Sequence, residues 1–297
     1  MISRLLERRL PYYRLNADEL SRTQFTLHIA DRKVSRRLWT TGAHVDLDAV
    51  GCVWYRRSLR PPPPEAVDPK FHSFAREELR HLYEGLVADE SLRWVNPLAA
   101  TELGERKVLQ LRLAQETELQ TPATLISSDV QAIEEFACTH DGVICKPISQ
   151  GLVVEDAEWY AVHTHELSPG ELRERDHIGK FPTLLQRLVP KGVDVRVTII
   201  GADTYTVEIH VPKGTIDWRA AGSEATYSIC ALPERVERGC RELMSRLNLL
   251  FGAFDFIRTV DDEWYFLEVN PAGEWAWLER DLGLPMRDSF VQLFYGR

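Results

Sequence analysis

Residues 252–270 constrain this chain more than any other stretch. Gly252 to Arg258 and Glu263 to Asn270 both read as strands, and the short acidic run Thr259-Val260-Asp261-Asp262 lies between them. Two such runs joined by a short polar turn form an antiparallel hairpin. If the turn centres between Asp261 and Asp262, Asp255 falls opposite Glu268, with Cβ atoms about 5 Å apart. Asn270 shares their face. The other face, made of Phe254, Phe256, Leu267 and Val269, is apolar and fixes which side meets the core. Two carboxylates and an amide oxygen on one spot suit a hard cation such as Mg2+ that also holds phosphate oxygens. A solvated polar face with a slipped register is the alternative reading.

The alternation extends upstream. In Val193–Ile200 the residues Val193, Val195, Val197 and Ile199 share one face, and Asp194, Arg196 and Thr198 the other. Gly201-Ala202-Asp203 turns into a second strand over 204–211. Pro233 opens a helix whose Val236, Cys240, Leu243, Leu247 and Leu250 form a core stripe. Before residue 183 helices dominate. Helical spacing covers Phe71, Phe74, Leu79, Leu82 and Leu86, then residues 106–118, stopped by Thr121-Pro122. A further helix starts at Ser128 with Gln131 completing a capping box, and Val143–Pro147 is a short strand that carries Lys146. Gly51–Tyr55 is another short strand, followed by the stiff run Pro61-Pro62-Pro63-Pro64. The fold class is α/β in the broad sense, with an antiparallel sheet towards the C-terminus.

Composition narrows the function. The 297 residues carry a net charge of −9, which argues against general nucleic-acid binding. Residues 1–60 run the other way, with twelve basic against six acidic side chains. This is either a solvated face or a surface, including Arg8, Arg9, Arg36 and Arg37, that attracts an acidic partner. No apolar run approaches the ~20 residues that span a bilayer, and Met1–Arg14 lacks the apolar run of a signal peptide. Five cysteines without a CxxC pair predict reduced, mostly buried thiols in a cytoplasmic protein. No GxxxxGK[ST] cradle is present, so the common phosphate loop is excluded. Lys107, Lys146 and Arg196 are candidates for cations facing a phosphate. His163-Thr164-His165-Glu166 could chelate zinc, but a third ligand at sensible spacing is missing.

The run Phe254-Asp-Phe-Ile to Phe266-Leu-Glu-Val-Asn-Pro-Ala-Gly-Glu-Trp resembles the C-terminal signature of ATP-grasp ligases, and more narrowly the microviridin-type peptide maturases. Val53-Trp-Tyr-Arg-Arg57, Trp94-Val-Asn-Pro97, Lys107-Val-Leu-Gln-Leu, Thr121-Pro-Ala-Thr-Leu-Ile126 and Gln186 to Arg196 are similar to the same family in the same order. The resemblance implies an ATP-grasp fold with a small N-terminal α/β domain (1–100, a peptide-binding candidate), a central lid domain (101–185) and a C-terminal antiparallel-sheet domain (186–297). It implies ATP and Mg2+ as cofactors. Lys107 and Lys146 resemble the two ATP lysines, and Gln186, Arg187, Leu188 and Val189 the hinge whose backbone reads the adenine edge. Asp194 is then expected near the ribose, and Arg196 near the γ-phosphate. Arg219 resembles a further phosphate- or substrate-contacting arginine, and Asp255, Glu268 and Asn270 the Mg2+ ligands.

The activity implied is ATP-dependent activation of Asp or Glu side chains of a ribosomal precursor peptide as acyl phosphates, followed by ester or amide macrocyclisation. The partner is then a leader–core peptide, with no nucleic acid and no membrane, and the state a homodimer. A small-molecule carboxylate–amine ligase and an inactive peptide-binding module are the alternatives. The chain departs from the family at four points. They are a first domain expected to be trimmed, Arg187 at a usually acidic hinge position, the short Ser149-Gln150-Gly151 lid loop, and a missing asparagine after Arg219.

Overall fold

The computed structural model describes residues 1–40, 43–56, 62, 65–89, 91–149, 151–155, 158–162, 164–173 and 179–296. Arg57, Pro61, Pro63, Pro64, Gln150 and His163, singled out above, lie outside the described residues. The chain packs as two units, Met1–Thr101 with Pro285–Arg297, and Glu102–Leu284. Among the described residues no helix is long and apolar enough to cross a membrane.

In the first unit α1 (Ile2–Glu7) precedes a three-stranded antiparallel sheet, β1 (Gln24–Ala30), β2 (Lys33–Thr40) and β3 (Ala43–Asp46), in that order. Asp31 and Arg32, with φ of 50° and 61°, make the two-residue turn whose twist matches a tight hairpin. Phe25, Leu27 and Ile29 alternate as strand residues do, but Leu27 and Ile29 are exposed while Arg36 on β2 is buried, so apolar patterning is a poor guide to this sheet. β4 (Val53–Trp54) pairs in parallel with β5 (Trp94–Val95), and α2 (His72–Val87) lies between them in the chain. The helical spacing of α2 is correct, but Phe71, Phe74 and Leu82 are exposed while Leu79, Tyr83 and Leu86 are partly buried. The C-terminal helix Met286–Tyr295 belongs to this unit, where Phe290 and Phe294 pack against Trp54.

The basic N-terminal face needs correcting in this unit. Arg36 is buried on β2. Its Nε donates to Asp48 Oδ1 at 2.8 Å, and its Nη1 donates to Ser91 Oγ at 3.0 Å and pairs with Asp89. Arg8 is also committed, since its Nη2 lies 2.5 Å from Asp288 Oδ1. Arg36 is therefore a buried brace and not a steering charge. Asp48 and Asp89 are each about a third exposed and water can solvate them, so Arg36→Ala should cost about 1–2 kcal/mol of stability through lost hydrogen bonds and packing. Urea unfolding checks this, and an unchanged midpoint would refute the brace.

The second unit is built on a five-stranded antiparallel sheet. Before it come α3 (Leu98–Gly104, which crosses the unit boundary) and α4 (Lys107–Ala114). A four-stranded antiparallel sheet follows. It holds β6 (Thr124–Ser127), β7 (Val143–Lys146), β10 (His165–Glu166) and β11 (Thr183–Arg187), in the order β10-β7-β11-β6. Helix α5 (Val130–Thr139) packs Ile133 against Val143 and Leu185. Its N-cap is Asp129, whose carboxylate accepts from Gln131 N–H, and not Ser128 as the sequence suggested. A strand pair β8 (Leu152–Glu155) and β9 (Glu158–Ala161) and the short helix α6 (Pro169–Arg173) complete this part. Helix α4 stops at Ala114, short of the expected 118. Gln115, Glu116 and Thr117 then hydrogen-bond three residues back, as turns do.

In the five-stranded sheet β12 (Val193–Ile200) is central and buried along its whole length. It pairs with β13 (Asp203–His210) on one side and β15 (Phe251–Arg258) on the other. β14 (Thr226–Ile229) and β16 (Trp264–Asn270) are the edges. Helix α7 (Glu234–Arg246) buries Val236, Cys240 and Leu243, its predicted stripe, and α8 (Ala276–Leu282) follows the sheet. Gly192 leads into β12, where a Cβ would lie 2.9 Å from the backbone of Arg258 and Thr259, so only glycine allows this approach. All five cysteines are free, but only Cys240 is buried and Cys138 is exposed, which corrects the expectation of mostly buried thiols.

Candidate active site

The hairpin register puts Asp255 opposite Glu268 and Ala253 opposite Asn270, as expected. The route differs. Arg258 pairs with Trp264, so the turn is five residues, centred on Asp261, and a bulge beyond Phe256 absorbs Leu267. The bulge lets Phe266, rather than Leu267, join Phe254 and Phe256 in the core, with ring centroids 6.1 and 5.7 Å away. It also restores the expected pairing at the polar end. Arg196 on β12 stands beside Asp255 in the next strand. One face of three adjacent strands therefore carries Arg196, Asp255 and Glu268 in a row.

Cations surround the two carboxylates. Arg196 Nε donates to Asp255 Oδ1 at 3.0 Å, with both side chains almost fully buried. Arg219 Nη2 reaches Asp255 Oδ2 at 3.3 Å and Glu268 Oε1 at 2.9 Å. Lys107 Nζ lies 3.5 Å from Glu268 Oε2 and donates to the carbonyls of Pro147 and Ser149 at 2.9 and 3.1 Å. Burial would raise the Glu268 carboxyl, but Lys107, Arg219 and Lys146 together hold it below the usual carboxylate range. The two carboxylates do not simply repel, because the always-charged guanidinium of Arg219 bridges them. Burial pushes the Lys146 ammonium down to about 8, with Glu268 opposing the shift and Lys107 adding to it.

One positioning residue escaped the sequence reading. Gln110, almost fully buried on α4, accepts from Val269 N–H at 2.8 Å and donates to Val269 O at 2.8 Å. Its amide thus continues the sheet at the edge strand β16 and fixes the residue between Glu268 and Asn270. A glutamine inside a helix carries no sequence signal for this role. Asn270 Oδ1 accepts from Ala272 N–H at 3.1 Å, and a Cβ on Gly273 would lie 2.5 Å from that of Ala253, so the turn after β16 also needs its glycine.

The hinge segment is placed by β11. Arg187 N–H donates to Ala123 O and Leu188 N–H to Gly142 O, so both donors are committed to the protein. The Gln186 side chain is 1 % exposed; its Nε2 lies 3.0 Å from Thr124 Oγ1, while its Oε1 has no partner among the described residues. Arg187 turns aside, with Nη2 donating to Tyr265 Oη at 3.2 Å and its guanidinium lying over that ring. Asp194 is buried and paired with Lys191 at 2.9 Å, and burial raises its carboxyl against that partner.

Two of these features test the fit of a nucleotide and a metal. A single cationic nitrogen of Arg219 lies within 3.3 Å of an oxygen from each carboxylate, so the pair already converges on one point that a cation can hold. The unpaired Gln186 Oε1 is a buried acceptor that suits a donor such as an amino group. No group of three or more His, Cys, Asp or Glu side chains among the described residues could hold a metal. A two-carboxylate site suits Mg2+, which usually takes one or two carboxylates and fills its shell with phosphate oxygens and water.

Comparison with known proteins finds the same fold elsewhere. The MvdD pre-ATP grasp domain family matches residues 1–102. No curated protein matches the sequence. The RiPP-associated ATP-grasp ligase of Chryseobacterium gregarium, solved with ADP and a leader and core peptide, is 25% identical. The match covers 98% of this chain and 90% of that one, with a TM-score of 0.90. The macrocyclase MdnC of Microcystis aeruginosa MRC, bound with precursor peptide MdnA, is 25% identical over 100% and 94% of the two chains, TM-score 0.85. Macrocyclase MdnB of the same organism is 28% identical over 99% and 94%, TM-score 0.78. Residues 1–102 thus match the MvdD pre-ATP grasp family, and the chain shares its fold along its whole length with RiPP-associated ATP-grasp ligases.

Proposed function

We propose that this protein uses ATP and Mg2+ to activate Asp or Glu side chains of a ribosomal precursor peptide, and joins them to a hydroxyl or amine as an ester or amide. The observation that carries this reading is the convergence of Lys107, Arg196 and Arg219 on the Asp255–Glu268 pair at one face of a buried sheet. A substrate carboxylate oxygen attacks the γ-phosphorus, and the bond from that phosphorus to the bridging oxygen breaks, releasing ADP. The hydroxyl or amine then attacks the acyl carbon, phosphate leaves, and the nucleophile loses its proton. Neither step needs a strong acid–base pair, which fits a site rich in cations and poor in histidine.

In this reading Lys107 and Lys146 hold phosphate oxygens, and Arg196 and Arg219 neutralise charge on the transferring group. Asp255, Glu268 and Asn270 hold Mg2+, which supplies further charge neutralisation and alignment of the phosphates. Gln186, Arg187, Leu188 and Val189 line the adenine edge, with the Gln186 acceptor available to the exocyclic amine. Asp194 lies near the ribose. Residues 101–185 act as the lid, 186–297 carry the nucleotide site, and 1–100 contribute to peptide recognition. The protein works in the cytoplasm as a homodimer, which light scattering can check.

The defining experiment incubates the protein with ATP, Mg2+ and precursor peptides carrying Asp or Glu beside Ser, Thr or Lys. ADP release and the loss of one water from the peptide per new link are expected. ADP release driven by free amino acids or dipeptides, and by no precursor peptide, would replace this reading with a small-molecule ligase.

A further inference from the structure

Trp218 opens the short helical segment Trp218–Glu224, and Arg219 follows it directly. The Trp218 ring centroid lies 5.5 Å from the guanidinium carbon of Arg196 and 5.7 Å from that of Arg219. These are the two arginines that contact Asp255, one from the central strand β12 and the other from the segment beside it. An aromatic face attracts a guanidinium through its quadrupole. One ring in contact with both groups also limits how far two like charges can spread apart.

The ring is itself supported. Trp277 on α8 lies 5.9 Å from Trp218, and Tyr227 on β14 lies 4.6 Å from Trp277. Just upstream, Lys191 Nζ donates to the carbonyls of Thr215 and Ile216 at 2.6 and 3.0 Å while pairing with Asp194 at 2.9 Å. All three protons of that ammonium are used. The segment leading to Arg219 is therefore tied to β12 twice, through Lys191 to Asp194 and through Trp218 to Arg196.

We propose that Trp218 is a positioning residue whose ring face sets the spacing of Arg196 and Arg219 around the carboxylate pair. It thereby places the two cations that meet the terminal phosphates of the nucleotide. This rests on the nucleotide reading above. The role belongs to the ring face and not to bulk, since an aliphatic side chain would fill the space without holding two guanidiniums.

The contrast between Trp218→Phe and two aliphatic variants, Trp218→Leu and Trp218→Met, tests it. Each protein is titrated calorimetrically with a non-hydrolysable ATP analogue and Mg2+ and melted without ligand. Trp218→Phe should bind within about threefold of wild type. Trp218→Leu and Trp218→Met should lose affinity roughly tenfold or more, because guanidiniums no longer held in place must be ordered on binding. The lost ring contacts should also lower their melting temperatures by a few degrees relative to Trp218→Phe, with both variants still folded. Aliphatic variants that bind as tightly as wild type overturn the proposal. So does an equal loss in all three variants, or a pattern in which Phe folds and neither aliphatic variant does, because the ring is then only packing. Failure of the wild-type protein to bind the analogue with Mg2+ would instead remove the nucleotide reading.

Discussion

Glu268→Gln should remove Mg2+-dependent turnover by roughly 100-fold or more and also lower the melting temperature of the protein without metal. The first effect follows from taking one charge from a two-carboxylate site. The second reverses what the sequence alone suggests, namely that losing one of two facing carboxylates relieves repulsion. The structure has Lys107 at 3.5 Å and Arg219 at 2.9 Å from Glu268, with Lys146 close enough to act on its charge. Removing the carboxylate leaves a cluster of cations with one counter-charge fewer. Its folded-state carboxyl is held below the ordinary value of 4.5, so its contribution is complete above that pH and is lost as pH falls through the folded value. A loss of about 1–2 kcal/mol at neutral pH is expected, a few degrees for a chain of this size. The gap between wild type and variant should close in acid. Melting curves from pH 3 to 7, with ADP release at saturating Mg2+, check both halves. A variant as stable as wild type at pH 7 means that the cations do not need this carboxylate.

The same site shows what was legible in the sequence. Alternation identified Val193–Ile200 and the 252–270 hairpin, and with the hairpin the shared face of Asp255 and Glu268, because a period of two with one apolar side has few other solutions. That Arg196 lines up beside Asp255 follows only from the pairing of β12 with β15. The bulge at Leu267 was not legible. Both Phe266 and Leu267 are apolar, and only packing against Phe254 and Phe256 selects the phenylalanine. Contacts between distant segments also left no trace. Arg219 bridging the carboxylates, Gln110 clamping Val269 and Lys191 holding Thr215 and Ile216 each join residues more than 20 positions apart. The sheet over 24–46 was missed for a different reason. Its strands carry Arg36, Arg37 and His28 among apolar residues, and Arg36 is buried only because Asp48 and Asp89 meet it. A charge inside a strand reads as solvent-facing until its partners are known.

Nucleotide affinity should fall as pH rises past about 8, while the same titration stabilises the fold. Lys146 sits on β7, where burial pushes its ammonium down to about 8 from an ordinary 10.5. A neutral amine cannot neutralise a phosphate oxygen, so in the nucleotide reading the free protein loses a binding cation above that pH. The sign for stability is opposite. Between about 8 and 10.5 the unfolded chain keeps the proton that the folded chain has lost, so the unfolded state binds more protons and stability rises with pH. Few surface lysines would move affinity and stability in opposite directions, because an exposed ammonium keeps nearly the same pKa in both states. Lys146→Met should show weak ADP binding at every pH and every Mg2+ concentration, without the break near 8. Its melting temperature should lack the alkaline gain seen in wild type. Lys146→Arg stays charged throughout, so whatever affinity it retains should show no break. Calorimetric titrations and melting curves from pH 7 to 10 on the three proteins separate these outcomes. A wild-type affinity flat across that range would mean that Lys146 keeps its charge or does not meet the phosphates, and the matching melting curves would say which.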